Sequence, residues 1–240
     1  MDLTREALKY MVELGGAEVI NINGENYTDK QVYRVNQALR ADPVKMSTLT
    51  SLLDYLKADV DTMPEKMIVQ VESPTCVRAL SRLDMDRKRE ELAVTRAELP
   101  DFDYGRYMGK EKFIIALQAV FLPNEDRELL LKFAGTVKDE TIAEYGDNGI
   151  SQKATIKTGI TTVGEAVVPN PVTLRPYRTF TEVMQPESSF IFRMRQGEGR
   201  EVECAIFEAD GGAWRNAAML EVKRYLQEGL KDFPQYTVIS

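Results

Sequence analysis

From Phe190 to Ile206 the chain alternates apolar and polar residues with a period of two. Phe190, Phe192 and Met194 interleave with Ile191, Arg193 and Arg195. After Gln196 to Arg200, the residues Val202, Cys204 and Ile206 interleave with Glu201, Glu203 and Ala205. Period-two alternation sends successive side chains to opposite faces, so both segments read as strands with one buried face. Pairing Met194 with Val202 matches apolar to apolar and sets Arg195 against Glu201 and Arg193 against Glu203. Pattern and charge choose the same register, as expected of a strand pair.

Other segments carry helical periodicity. Leu49, Leu52, Leu53, Leu56 and Val60 form an amphipathic stripe that starts near Ser47 or Thr48. Gly109 opens a stripe of Phe113, Ile114, Leu117, Val120 and Phe121, closed by Pro123, and Glu125 to Ala134 reads as a further short helix. After Asp210-Gly211-Gly212 comes a closing helix with Ala217, Ala218, Val222, Tyr225 and Leu226, on which Trp214 reads as a core anchor. Near the start, Ala7, Leu8, Met11 and Leu14 predict a helix ended by Gly15-Gly16. Ala17 to Ile22 predicts a strand turning at Asn23-Gly24, and Thr28 and Gln31 have capping-box spacing before a helix through Val32, Val35 and Leu39.

Between these helices the texture is β. Met67–Glu72, Thr75–Leu83 and Leu92–Leu99 predict an antiparallel meander, its last two strands joined by the self-compensated charged turn Asp84 to Glu91. Thr136 to Tyr145 and Ser151 to Ile160 flank Gly146-Asp147-Asn148-Gly149 and predict a long hairpin. It would be polar on both faces, with Glu144 opposite Lys153 and Glu140 opposite Lys157. Such a ribbon is either solvated or covered by a neighbouring subunit. Val168-Pro169-Asn170-Pro171 and Arg175-Pro176-Tyr177 predict an extended connector or edge strand, because proline cannot donate to a central ladder. The expected fold class is α+β: an antiparallel meander and long hairpins packed with amphipathic helices, with a helix near the C-terminus. The expected organisation is a division into residues 1–122 and 123–240 or one continuous domain, since no flexible linker marks a boundary.

Composition narrows the chemistry. The 240 residues contain no histidine, which removes imidazole-based nucleophile activation, the H-E-x-x-H zinc helix and the imidazole pH switch. Two cysteines, Cys76 and Cys204, lie far apart and in no C-x-x-C pair; they read as buried reduced thiols, which favours a reducing compartment. The mixed charges of residues 1–6 lead into no apolar signal region. The longest apolar stretch, Phe113 to Leu122, is too short for a membrane span. An intracellular chain without membrane partners is expected. A net charge of -7 argues against a large nucleic-acid footprint.

Each remaining motif has a plain structural reading. Gly105-Arg106-Tyr107-Met108-Gly109-Lys110-Glu111 resembles a phosphate loop but is too short, and Glu111 stands where Ser or Thr is needed, so a turn into a helix is expected. Gly197-Glu198-Gly199 is a hairpin turn rather than a dinucleotide fingerprint. Arg175, Arg178, Arg193, Arg195 and Arg200 interleave with Tyr177, Phe180, Phe190 and Phe192, a mixture able to bind single strands. The alternation nevertheless turns the hairpin phenylalanines to the core. Among the acids Glu201, Glu203, Glu208 and Asp210, the last two share the inward parity of Val202, Cys204 and Ile206. They are the candidates for a magnesium-dependent hydrolase; bonding to the Gly211-Gly212 turn or capping the last helix is the favoured alternative. No catalytic, cofactor-binding or metal-ligating residue is assigned.

The stretch Leu49-Thr50-Ser51-Leu52-Leu53-Asp54-Tyr55-Leu56, the helix around Phe113, the polar hairpin at 136–160, the Val168-Pro169 connector, the Phe190 to Arg195 strand and the final helix together resemble the YfdQ-like proteins of phages and prophages, over residues 46–230. The resemblance rests on element order and short apolar patterns, and it carries no site residue across. It implies a phage-derived early or accessory protein in a bacterial cytoplasm. The leading expectation is a non-enzymatic homo-oligomer, up to a self-assembling particle or shell, with the polar hairpin and the proline-rich connector available for pairing between subunits. The alternatives are an accessory module that sequesters a host protein or signalling ligand or assists phage DNA metabolism, and the hydrolase at Glu208 and Asp210.

Overall fold

The computed structural model describes residues 4–5, 9–10, 13, 15–22, 25–28, 30, 40–63, 66–85, 87–137, 152–158, 162–168, 170–197 and 201–240. The chain divides into two compact units, residues 1–41 and 42–240, and not at residue 122. The reason is visible in the second unit, where each of two cores draws on elements from both sides of residue 122.

In the first unit, Arg5, Lys9, Tyr10, Glu13 and Gly15 are helical, and the Gly16 amide donates to the Glu13 carbonyl at 3.0 Å where that helix stops. Strands β1 (Val19–Ile22) and β2 (Glu25–Thr28) pair antiparallel, with Ile20 opposite Tyr27. Thr28 ends the second strand, and its hydroxyl accepts from the Lys30 amide at 3.3 Å. The helix expected over residues 31–39 lies outside the described residues.

The second unit contains β3 (Val44–Met46), α1 (Leu49–Ala58), β4 (Met67–Ser73), β5 (Cys76–Ser81), β6 (Glu91–Arg96), β7 (Met108–Gly109), α2 (Lys110–Val120) and α3 (Glu125–Thr136). These are followed by β8 (Gln152–Thr158), β9 (Thr162–Val168), β10 (Val172–Leu174), β11 (Ser188–Gln196), β12 (Val202–Glu208), α4 (Trp214–Gly229) and β13 (Tyr236–Ile239). The fold is α+β.

The expected meander is present as β4-β5-β6, antiparallel throughout. Two strands the pattern did not reveal extend it: β13 pairs parallel with β4 and β3 parallel with β6, so the five-stranded sheet is mixed. Val69, Val71, Val77, Ala79 and Ala93 are buried on one face, against Leu49, Leu52, Leu53 and Leu56 of α1 and Val222 and Leu226 of α4. Each of these valine and leucine side chains contributes roughly 1.5–3 kcal/mol by leaving water. Helix α1 starts where Thr48 accepts from the Ser51 amide, and Glu182 also accepts from the Leu49 amide at 2.7 Å, a carboxylate at the positive end of the helix. The stripe stops at Leu56: Asp59 turns left-handed at φ 49° and Val60 is exposed.

The second sheet runs β10-β11-β12-β7 and packs on α2 and α3. Phe192 lies against Phe113 and Phe133, with ring centres 5.7 and 6.0 Å apart. The β11–β12 pair has the expected faces, but its register differs by two residues. Met194 faces Cys204, Arg193 faces Ala205, and Arg195 reaches Glu203 at 2.7 Å instead of Glu201. The connecting loop is correspondingly longer, with the Gly197 amide donating to the Glu201 carbonyl. As expected from its prolines, β10 is an edge strand. Its outer backbone is occupied: the Thr173 amide donates to Asp126 at 2.6 Å, and its carbonyl accepts from Asn124 at 2.7 Å. Strand β8 pairs forward with β9, Gln152 opposite Val168; the hairpin predicted between 136–145 and 151–160 has its turn and most of its first strand outside the described residues. Thr136 belongs to α3, and residues 138–150, with Glu140 and Glu144, lie outside the described residues. Cys76 and Cys204 are buried and free, and burial pushes the Cys204 thiol up to about 12.

Candidate functional site

Two strands carry their inward alternation one step too far, and the charges at their ends meet. Along β12, the buried parity of Val202, Cys204 and Ile206 continues to Glu208; along β10 and beyond, that of Val172, Leu174 and Pro176 continues to Arg178. Arg178 is 6% exposed, and its Nη1 lies 3.1 Å from Glu208, whose side chain stays 35% open. The same nitrogen donates to the Ser188 hydroxyl at 3.2 Å, and Nε donates to the Tyr104 hydroxyl at 3.3 Å. The guanidinium carbon sits 4.8, 4.9 and 4.7 Å from the ring centres of Tyr104, Phe190 and Trp214. Nη2 is buried without a hydrogen bond; three aromatic faces support its charge instead. Trp214 is thus a wall of an arginine cage rather than a simple core anchor, and its indole nitrogen is also unpaired.

Asp210 belongs to the same cluster. Its Oδ1 accepts from the Gly212 amide at 3.0 Å and its Oδ2 is buried without a hydrogen bond, while the Ser188 hydroxyl and the Trp214 amide act as nearby donors that favour the charged form. Burial raises its pKa, but these donors together with the charge of Arg178 outweigh burial and hold it below the ordinary carboxylate range. Asp210 therefore fastens the turn at the start of α4. Burial likewise pushes the Tyr104 phenol up, with Arg178 opposing the shift.

The backbone that carries Arg178 is pinned from several sides. The Tyr177 amide donates to Val120 O at 2.9 Å, and the Arg178 and Thr179 amides both donate to the buried Gln185 side chain, at 2.9 and 3.1 Å. Gln185 in turn donates to the Phe180 carbonyl, and the Thr179 hydroxyl donates to Pro74 O in the β4–β5 turn. The inward parity of Arg178 was readable in sequence; the roles of Gln185 and Ser188 had no local signal.

The other singled-out residues take their plain readings. Gly105, at φ +73°, lies against the Phe207 ring and begins the turn into α2. Phe180, Phe190 and Phe192 are core, and Arg175 is paired with Glu187 at 2.6 Å. Arg200 and residues 198–199 lie outside the described residues. Among the described residues, no three His, Cys, Asp or Glu side chains are grouped to hold a metal, and no helix is long and apolar enough to cross a membrane. Glu208 and Asp210 are engaged by an arginine, a serine and a turn, an arrangement suited to fastening rather than to metal-assisted hydrolysis. Comparison with family models, with curated proteins and with solved structures gives no match.

Proposed function

We propose that this chain is a non-enzymatic, phage-type protein of the YfdQ-like group that works as a homo-oligomer, with residues 1–41 as its assembly arm. The observation that supports this reading is the β1–β2 ribbon. Its register puts Ile20, Ile22 and Tyr27 on one face, with Glu25 opposite Ile22, and the three apolar residues are 48%, 52% and 55% exposed. The other face carries Val19, itself 72% exposed, Thr28 and Asn21, whose amide donates to the Asn26 side chain at 2.8 Å. A two-stranded ribbon has marginal stability alone, and an apolar face left in water marks an interaction surface. A second copy offers the same face, so an isologous contact about a two-fold axis covers both at once. The engagement of Glu208 and Asp210 in structural bonds adds to the case against the hydrolase alternative.

The test is Ile20→Asp combined with Ile22→Asp, examined by sedimentation velocity. The variant is expected to sediment as a single chain with the far-UV spectrum of the wild type, its association weakened at least a hundredfold, equivalent to about 3 kcal/mol. Identical sedimentation of variant and wild type would remove the arm from assembly.

A further inference from the structure

We infer that the open face of the five-stranded sheet binds a small multivalent oxyanion, a phosphate or polycarboxylate group, held between Lys45 and Arg96. The inner face of this sheet is covered by α1 and α4; on the outer face Lys45 and Arg96 are exposed, Gln70 and Arg78 half-buried and Val94 buried. Across it, Lys45 stands opposite Val94, Val94 opposite Arg78 and Arg78 opposite Gln70, one row over four strands, and Arg96 lies two residues beyond Val94 on the same side. A groove of about 850 Å³ follows this row, with Ser47 and Ser51 on its border, within the size range of small-molecule sites.

The charges in the groove are unequally committed. Arg78 is spanned by Glu72 at 2.9 Å and Glu91 at 2.8 Å, so its charge is satisfied internally and its side chain is fixed. The side chains of Lys45 and Arg96 make neither an ion pair nor a hydrogen bond among the described residues, although the charge of Arg96 is felt by Glu72. Glu72 and Glu91 are taken up by Arg78, so Glu98 is the one acid of the lining left beside Lys45 and Arg96. Free cations beside a low-dielectric wall concentrate anions, and the arginine fork matches the two oxygens of a phosphate or carboxylate while lysine adds a point charge. Val94 and Ala97 give the floor an aliphatic patch, and no aromatic side chain lines the groove among the described residues. The surface therefore lacks the stacking platforms of a single-strand nucleic-acid site.

Calorimetric titration of the full chain at low ionic strength, with pyrophosphate in one arm and citrate in the other, tests this. Saturable binding of at least one is expected, weakened at least tenfold in Lys45→Gln/Arg96→Gln and largely restored in Lys45→Arg/Arg96→Lys. Both positions are exposed, so the melting curve without ligand should be unchanged. Saturation by pyrophosphate alone identifies a phosphate ligand, and by citrate alone a carboxylate ligand. Failure of both to saturate in the millimolar range, or equal affinity in the glutamine variant, would overturn the inference. Neither outcome depends on oligomeric state.

Discussion

Arg178 is the residue on which most of the polar interior depends. Replacing it with methionine keeps much of the packing but leaves Ser188 without its donor and Glu208 without its counter-charge. The expected cost is about 2–3 kcal/mol, below the range for a fully buried pair because Glu208 is partly solvated. Glu208→Gln should cost only about 1 kcal/mol, since Arg178 keeps its rings, Tyr104 and Ser188. Urea unfolding of the two variants checks that order; equal losses would mean that the cage contributes nothing beyond the ion pair. Asp210 makes a pH prediction. Its pKa is lowered in the folded chain, so between that depressed value and the ordinary carboxylate value the unfolded chain binds more protons. Stability from this group is therefore fully present above the unfolded pKa and is lost as pH falls through the folded one. Asp210→Asn should flatten the acid limb of a stability-against-pH curve, and an unchanged slope would deny Asp210 its role. The inward parity of Glu208 was legible because a regular strand leads up to it. Arg178 was read as one of a surface cluster because prolines interrupt the run before it, although the parity from Val172 does reach it.

At the scale of elements, charge and hydrophobicity decided which face of each strand is buried but not how far one strand slides along the next. Shifting β11 against β12 by two residues keeps every face and still gives Arg195 a glutamate, so Glu201 and Glu203 are indistinguishable by pattern. The turn makes the choice. The Glu203 carboxylate packs where a Cβ on Gly197 would come within 3.0 Å, so the glycine makes room for that pairing. The parallel strands β3 and β13 escaped notice for a related reason: they are only three and four residues long, too short for alternation to be read. The junction of β10 with α3 carries a prediction. Asn124 both caps α3, accepting from the Arg127 amide at 2.8 Å, and donates to the Thr173 carbonyl. Asn124→Ala should lose about 2 kcal/mol, and Asn124→Ser, which retains a cap acceptor, about 1 kcal/mol. Thermal denaturation distinguishes this from a cap-only role, in which serine would restore full stability.

At the scale of the molecule, residues 42–240 carry, besides the β8–β9 pair, two larger sheets with separate cores, and the segment from Arg175 to Ser188 is anchored in both. Phe180 enters the core of the five-stranded sheet, whereas Arg178 is stacked on Phe190 of the other. The α+β class, the meander and the helices were legible because each has its own periodicity. The division after residue 41 was not, since no change of composition marks it. A missing histidine excludes imidazole chemistry, and the bonding of Glu208 and Asp210 turns attention from a reaction to surfaces: the apolar arm ribbon and the basic groove. Multi-angle light scattering on the wild-type chain at micromolar concentration is the most direct test of the assembly proposal. A mass at an integral multiple of 27.2 kDa is predicted, and a mass of 27.2 kDa maintained over the whole concentration range would contradict it.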